Sequence, residues 1–474
     1  MPNPISRRQL LARTGQVATF TFAANSILRQ QPTAFAQNTL GANTRLGIGL
    51  IGCGQRGTQL LQHALQMHDT AFPIVCDVDA KRAASAADTI TQAGKPKPVI
   101  VSDYRQVLDH AAVNGVIIAT PNHWHAIQHL EACAAEKDVY LEAPISYNIT
   151  EGQAMVFVTR KYRRVVQVGQ QFRSSNRFHE AANRVQTRQL GRIAQTRTWT
   201  FAKTPPIPQQ PDRTPPASLD YDRWIGPARP RPYNPARVQH HFAEWWDFGG
   251  GKVCQWNVHL QDVIHAAMRV TVPKSVTALG GNFGLRDFRE TPDTLEVLFE
   301  YENVHGPFMH VYSLRLSNAH ATWGPDLPAP NGRTPTGHPL HYGTQFHGDH
   351  ASLFVDHDRL HTFASDQPPL PPNPPTPPEA TSQPVGSDRL TQAHLANFLD
   401  CMVTRAEPKA PIEAGHFSLL PCHLANIAYR LGRKIYFDAN RQHCFRDPDH
   451  KSPDTEADAM MIRAYRKPYT FPNV

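Results

Sequence analysis

No run of apolar residues in this 474-residue chain approaches the roughly 20 that a membrane-crossing helix requires, so a membrane span is not expected. Lysine and arginine nowhere form a block interleaved with aromatics, which leaves nucleic-acid binding without its electrostatic footprint. The seven cysteines (Cys53, Cys76, Cys133, Cys254, Cys401, Cys422 and Cys444) include no pair at CxxC spacing, so a zinc site of that kind has no support and no metal is expected. Cys53 and Cys76 fall inside apolar runs, where a buried thiol is the simplest reading. Acidic residues are absent from positions 1–36, which carry Arg7, Arg8, Arg13 and Arg29; without that stretch the formal charge of +8 falls to +4. The 25 histidines would add charge in a mildly acidic medium. What remains, 40% hydrophobic and 19% charged, reads as a folded chain whose length implies two domains.

From Arg45 onward strands and helices alternate. Leu46–Ile51 is a short apolar strand, followed at once by Gly52-Cys53-Gly54-Gln55-Arg56-Gly57 and by the helical face Leu60, Leu61, Ala64, Leu65. A G-x-G-x-x-G between a strand and a helix fits a dinucleotide: Gly52 allows the tight turn, Gly54 the approach of a pyrophosphate, and Gly57 close helix–strand packing. The new helix offers free N–H groups to the phosphates. The next strand, Phe72–Cys76, ends at Asp77, twenty residues beyond Gly57, where a carboxylate holds the ribose hydroxyls of NAD. Asp77 would repel a 2′-phosphate, which favours NAD over NADP, although Arg82 lies nearby. Further units follow: strand Pro98–Val101, helix Tyr104–Asp109, buried strand Val113–Thr120, then Pro121-Asn122-His123-Trp124-His125, and Val139–Leu141 before Glu142-Ala143-Pro144. Loops after the carboxyl ends of parallel strands bind the ligand in doubly wound sheets, so both segments are expected to face the crevice. For His123 to His125 the alternative is a capped helix start with buried aromatics.

The first residues read as an address. Ser6-Arg7-Arg8-Gln9-Leu10-Leu11 precedes a weakly apolar stretch from Gly15 to Leu28 and Ala34-Phe35-Ala36. A charged head, apolar middle and small-x-small site predict a signal over 1–36, and the paired arginines resemble a bacterial twin-arginine signal. The alternative is a disordered basic tail. The signal implies passage through the twin-arginine export machinery to the periplasm or beyond. That route carries folded proteins, which suits a chain that must first acquire its dinucleotide in the cytoplasm.

The segments ATPNHWHA (119–126), CDVD (76–79), VGQQFRSS (168–175), GGGKVCQWNVHLQD (249–262), HLANFLDCMVTR (394–405), CHLANIAYRLGRKI (422–435) and YRKPY (465–469) together resemble the Gfo/Idh/MocA oxidoreductase family, in its exported bacterial branch. The resemblance implies an α/β protein. Its N-terminal Rossmann doubly wound parallel sheet is followed by an α/β domain with a large open, mainly antiparallel sheet. The expected organisation is an NAD-binding domain over 37–165 and a substrate and oligomerisation domain over 166–474, with a proline-rich insert at 366–388. Arg197–Phe201, Leu295–Tyr301 and Ser352–Val355 read as strands of the second domain and Thr391–Arg433 as helix. Thr204–Pro235, crowded with proline, reads as an irregular surface excursion, and 368–378 as a polyproline-like linker. A homo-oligomer through the open sheet and a small carbohydrate substrate are what the family implies.

Oxidising a sugar hydroxyl needs a proton acceptor and polar groups that hold the alcohol oxygen. In the family a lysine within Glu-Lys-Pro, and an aspartate and histidine four residues apart on a helix, supply them. Here the lysine position is Ala143 and the aspartate position is Gln255; His259 remains, with Asp262 beyond it. His259 is therefore the candidate acid/base, the alternative being a structural histidine. Gln171, Arg173, Gln255, Asp262 and Trp124 are candidate substrate contacts, with Arg173 alternatively paired to a surface acid. Gly52, Cys53, Gly54, Gln55, Arg56, Gly57, Asp77, Arg82, Thr120, Pro121, Asn122, His125, Glu142 and Ala143 are candidate cofactor contacts. Three functions fit: an NAD-dependent sugar or polyol oxidoreductase; an NAD-dependent glycoside hydrolase with transient oxidation, since one family branch also lacks the lysine; and a non-catalytic binder.

Overall fold

The computed structural model describes residues 45–67, 70–319, 341–357, 359–364 and 387–472. The expected signal over 1–36 and the linker 368–378 lie outside the described residues, as does the insert 366–388 except Ser387 and Asp388, which open a helix.

The first sheet is built from β1 (Leu46–Ile51), β2 (Thr70–Cys76), β3 (Val99–Val101), β4 (Gly115–Ile118), β5 (Asp138–Leu141) and β6 (Val166–Val168), in spatial order β3-β2-β1-β4-β5-β6 with every pair parallel. Its crossovers are α1 (Gln55–Leu65), α2 (Ala80–Gln92), α3 (Arg105–Leu108), α4 (Asn122–Ala134) and α5 (Ile149–Lys161). The order reverses between β1 and β4, the switch point where the carboxyl ends of the strands leave a crevice. Strands β1, β4 and β5 are buried along their whole length, as a sheet covered on both faces requires. Asp79 caps α2 by accepting from the Lys81 N–H, and Asn148 caps α5 by accepting from that of Glu151.

After α6 (Asn176–Gln186), β7 (Ile193–Phe201) enters the second sheet. The chain continues through α7 (Tyr221–Ile225), α8 (Val258–Met268), β8 (Ser275–Gly281), β9 (Thr294–Asn303), β10 (Gly306–Arg315), β11 (Tyr342–Gly348), β12 (Ala351–Val355), β13 (Leu360–Ala364), α9 (Ser387–Thr404), α10 (Ile412–Leu431), β14 (Ile435–Asp438), β15 (His443–Phe445) and α11 (Thr455–Ala459). The nine strands run β13-β12-β11-β7-β10-β9-β8-β14-β15, antiparallel throughout except for β7 beside β10. Along β9, Leu295, Val297, Phe299 and Tyr301 point inward while Glu296, Leu298, Glu300 and Glu302 point out, the period-two pattern of a half-covered sheet. Helices α8 and α10 pack together, and α10 packs on β8.

Three expectations change. The helical stretch Thr391–Arg433 is two helices, because Arg405 turns left-handed (φ 60°) and Pro408 and Pro411 cannot continue α9. Thr204–Pro235 is irregular yet more than surface. Ile207, Leu219, Trp224, Ile225 and Ala228 are buried with Trp245 and Phe248, and the Ala80 and Asp220 N–H groups bond the Ser218 and Val78 carbonyls across to the β2–α2 turn. Part of the histidine complement is also withdrawn from charge: His123, His129, His310, His416 and His423 are buried, and burial lowers each pKa, that of His129 to about 4 and that of His310 to about 3. All seven cysteines are buried free thiols.

Candidate active site

The glycine loop is shaped by backbone collisions that a side chain would cause. Gly52 has φ +92°, and a Cβ there would lie 2.7 Å from the Ala119 carbonyl; one on Gly57 would lie 1.9 Å from the Gly52 oxygen. Around Gly54 the only close neighbour of such an atom among the described residues is an Arg82 guanidinium nitrogen at 3.1 Å, so this side of the loop opens to the crevice. No side chain caps the start of α1, which leaves its first-turn N–H groups for an anion. Asp77 holds the loop in place: it accepts from the Cys53 N–H at 2.7 Å and from the Asp79 N–H at 2.8 Å. Burial raises its pKa, and those two N–H groups pull it back. These features suit a dinucleotide pyrophosphate and ribose.

The crevice is a cavity of about 470 Å³, and twelve of the fourteen expected cofactor contacts lie on its wall: Gly52, Gly54, Gln55, Arg56, Asp77, Arg82, Thr120, Pro121, Asn122, His125, Glu142 and Ala143. Cys53 and Gly57 do not. The Cys53 thiol is turned to the Cys76 carbonyl at 3.6 Å, and Gly57 is packed beneath the loop. Thr120 donates to Gln128 Oε1 at 2.7 Å. The ring nitrogens of His125 lie 2.7 Å from the Thr120 carbonyl and 2.8 Å from that of Pro144, tying the end of β4 to the turn after β5. Arg56 Nε donates to Glu142 at 2.8 Å, joining α1 to the same turn.

Opposite stands the helix that begins at Val253. Its first five residues, Val253–Asn257, wind as a π-helix before α8 continues regularly, a local widening common at functional sites. Gln255 and His259 both reach the cavity wall. Gln255 Nε2 donates to Asn122 Oδ1 at 3.1 Å, linking the π-helical turn to the start of α4. Phe172 and Trp256 present ring edges to His259 at centroid distances of 5.9 and 6.1 Å. Burial lowers the His259 pKa to about 4, with the Arg56 charge adding to the effect, so the ring is neutral at physiological pH. Ala143 shares this cavity and brings only a methyl group.

Of the other candidate substrate contacts, Trp124 lies on the cavity wall and Gln171, Arg173 and Asp262 do not. Arg173 grips Asp262 through three hydrogen bonds of 2.8 to 3.0 Å; Asp262 is buried and Arg173 partly exposed, and neither residue lines the cavity. The acid that Arg173 meets is thus buried rather than on the surface. Gln171 donates to the Tyr140 hydroxyl at 3.3 Å behind the Glu142 turn. Trp124 does line the cavity, beside Tyr104 and Tyr469, with its indole N–H given to the Trp224 carbonyl at 3.0 Å. Sequence reasoning missed the wall supplied by the proline-rich excursion and the residues after it (Arg223, Trp224, Gln239, His240 and Phe242) and by Tyr469. YRKPY carried the only signal: Arg466 donates to the Gly226 carbonyl and to Asp222, clamping the excursion.

Residues 46–170 match the oxidoreductase family's NAD-binding Rossmann fold, and residues 194–276 its C-terminal alpha/beta domain, both of the Gfo/Idh/MocA type. A glycosyl hydrolase family 109 protein of Saccharopolyspora erythraea is 31% identical over 176 residues, 34% of this chain and 38% of that protein. An alpha-N-acetylgalactosaminidase of Shewanella oneidensis is 24% identical over 161 residues, 31% of this chain and 35% of that protein. These matches therefore span little more than a third of either relative. In fold, the chain is similar to the WlbA dehydrogenase of Bordetella pertussis, solved with NADH and UDP-GlcNAcA (TM-score 0.59, 17% identity, 83% of this chain and 99% of that one). It is also similar to levoglucosan dehydrogenase solved with NADH and L-sorbose (TM-score 0.60, 17% identity, 83% and 99%). With the dinucleotide unit and the first part of the second unit matched in chain order and a glycine loop shaped for the dinucleotide, the chain belongs to the Gfo/Idh/MocA oxidoreductase family, and its cofactor is NAD.

Proposed function

We propose that the protein oxidises a hydroxyl of a sugar or polyol, with His259 as the proton acceptor. The observation that carries this reading is a neutral imidazole, with no protein hydrogen bond among the described residues, on the wall of the cavity that the glycine loop also lines. Oxidation removes a hydride from carbon, which bound NAD accepts, and a proton from oxygen, which falls to the protein. His259 meets that need because its base form predominates above about pH 4. Gln255, steadied by Asn122, offers its remaining amide capacity to a neighbouring hydroxyl. Glu142 keeps Arg56 drawn to the turn beside Ala143. Asp77 favours NAD over NADP through its repulsion of a 2′-phosphate.

A second reading draws on Ala143 and on the relatives named as glycosyl hydrolases. There the same oxidation is transient: it acidifies the neighbouring C–H, the leaving group departs by elimination, water adds, and the hydride returns with no net redox. The experiment is to purify the protein, assay it for co-purifying NAD, and incubate it with free-sugar and glycoside panels. Accumulating reduced cofactor supports oxidoreductase activity; cleavage without net reduction supports the closed cycle. Neither result would leave a non-catalytic binder of sugar and NAD.

The paired Arg7 and Arg8 support export by the twin-arginine route to the periplasm or beyond, after the dinucleotide is bound. Exposed Leu279, Leu298 and Met309 on the outer face of the second sheet support a homo-oligomer through that face. No helix among the described residues is long and apolar enough to cross a membrane.

A further inference from the structure

Trp256, beside His259 on the π-helical turn, is the most exposed of the described tryptophans: Trp124, Trp199, Trp224 and Trp245 are no more than 7% exposed and Trp246 is half-buried, whereas Trp256 is 37% exposed. An indole that stays in water forgoes one of the largest hydrophobic gains a side chain offers. Trp256 is nonetheless held firmly. Its ring lies 5.2 Å from that of Tyr342, Tyr342 stacks on Phe172 at 5.6 Å, and Phe172 stacks on Phe178 at 4.6 Å. On the other side Tyr342 stacks on His357 at 5.5 Å, and its hydroxyl meets the His357 ring nitrogen. The row runs from the buried Phe178 out to the exposed indole, and His259 touches it edge-on at both Phe172 and Trp256.

We propose that Trp256, backed by Tyr342, is the platform on which the carbohydrate ring rests, making it the residue that selects a pyranose-type substrate and sets its angle to His259. This rests on the reading of His259 as the proton acceptor for a sugar hydroxyl. A pyranose presents a face of C–H groups and an equatorial rim of hydroxyls. The face covers an aromatic ring, while the rim meets the polar atoms at the edge, here His259 and Gln255. An acyclic polyol lacks a continuous C–H face and gains less from such a platform, so the row of rings favours cyclic substrates. The indole follows Gln255 directly and precedes His259 by three residues, so it stands just outside the wall that those two line, its ring 6.1 Å from that of His259.

The test uses the full chain carrying its cofactor. Binding of p-nitrophenyl α-N-acetylgalactosaminide and of methyl α-glucoside is followed by calorimetry and by quenching of tryptophan fluorescence, with NAD affinity measured in parallel. Trp256→Ala is expected to weaken glycoside binding by about tenfold and to raise KM more than it lowers kcat, with NAD affinity unchanged. Trp256→Phe keeps a ring and should recover most of the loss. Equal glycoside affinity in the wild type and Trp256→Ala overturns the platform even if turnover by His259 is confirmed. A wild type that binds no glycoside or free sugar overturns both the platform and the proposed function. Glycoside binding that depends on Trp256, in a protein whose His259→Ala variant turns over normally, retains the platform and removes the proton acceptor.

Discussion

His125 and His259 line one cavity and are built on opposite principles. His125 is 1% exposed and has a backbone carbonyl at each ring nitrogen, so whichever carbonyl receives its N–H, the ring is wedged between the ends of two strands. His259 is packed among rings and has both nitrogens free of protein partners among the described residues. Burial lowers both pKa values, so the shift alone does not distinguish a brace from a base. The same contrast holds for the two ends of the crevice. Around the glycine loop, backbone contacts fix the geometry almost atom by atom; around His259, polar groups are left over for something else to use.

The contrast breaks most severely at Gly57. Gly57→Ala puts a methyl carbon 1.9 Å from the Gly52 carbonyl, so the loop must part from α1. NAD binding should be lost to calorimetry, with a fall in stability of about 1–3 kcal/mol seen in thermal unfolding. At the other end, His259→Ala should lower kcat by about 10²- to 10⁴-fold while NAD affinity and unfolding temperature stay near wild type; a lost fold would instead mark His259 as structural. His125→Ala should do the reverse. It removes the ring N–H that one of the Thr120 and Pro144 carbonyls accepts and the packing of the ring between them, and destabilises the protein by about 1–3 kcal/mol, with a modest effect on turnover by the protein that remains folded.

The subtlest change is Gln255→Asp. With the His259 pKa near 4, the base form is present through neutral pH and is lost only as pH falls through about 4. A carboxylate four residues away favours the imidazolium, raises that pKa, and should move the acid limb of the pH–rate profile upward by about one unit. An unmoved limb would mean that some other group takes the proton.

The legible parts of this molecule are those where the backbone imposes a residue type. Gly52, Gly54 and Asp77 are readable because a positive φ, an open cradle and a strand-end acid each admit few alternatives. The strands of both sheets announce themselves through continuous or alternating burial. Illegible were contacts that depend on how distant segments meet. Arg173 and Asp262 lie 89 residues apart and pair with each other; nothing local in the sequence signals that pairing. The wall formed by Arg223, Gln239 and His240 comes from a proline-crowded stretch without periodicity, whose fold is set by what it packs against. Trp256 was visible inside its motif, but its exposure emerges only once the π-helical turn and β11 are in place.

Helix α9 is made more than two hundred residues after the last strand of the first sheet, yet Leu395, Phe398, Leu399 and Met402 sit in one core with Leu46, Ile48, Leu60 and Tyr140. As the ribosome releases the chain in order, the dinucleotide unit therefore emerges with one of its layers missing. A fragment ending near residue 170 keeps all six strands but leaves that apolar surface in water, where it invites aggregation. The first unit of the chain to be synthesised is thus among the last to be finished, and its crevice matures only when residues close to 400 have arrived.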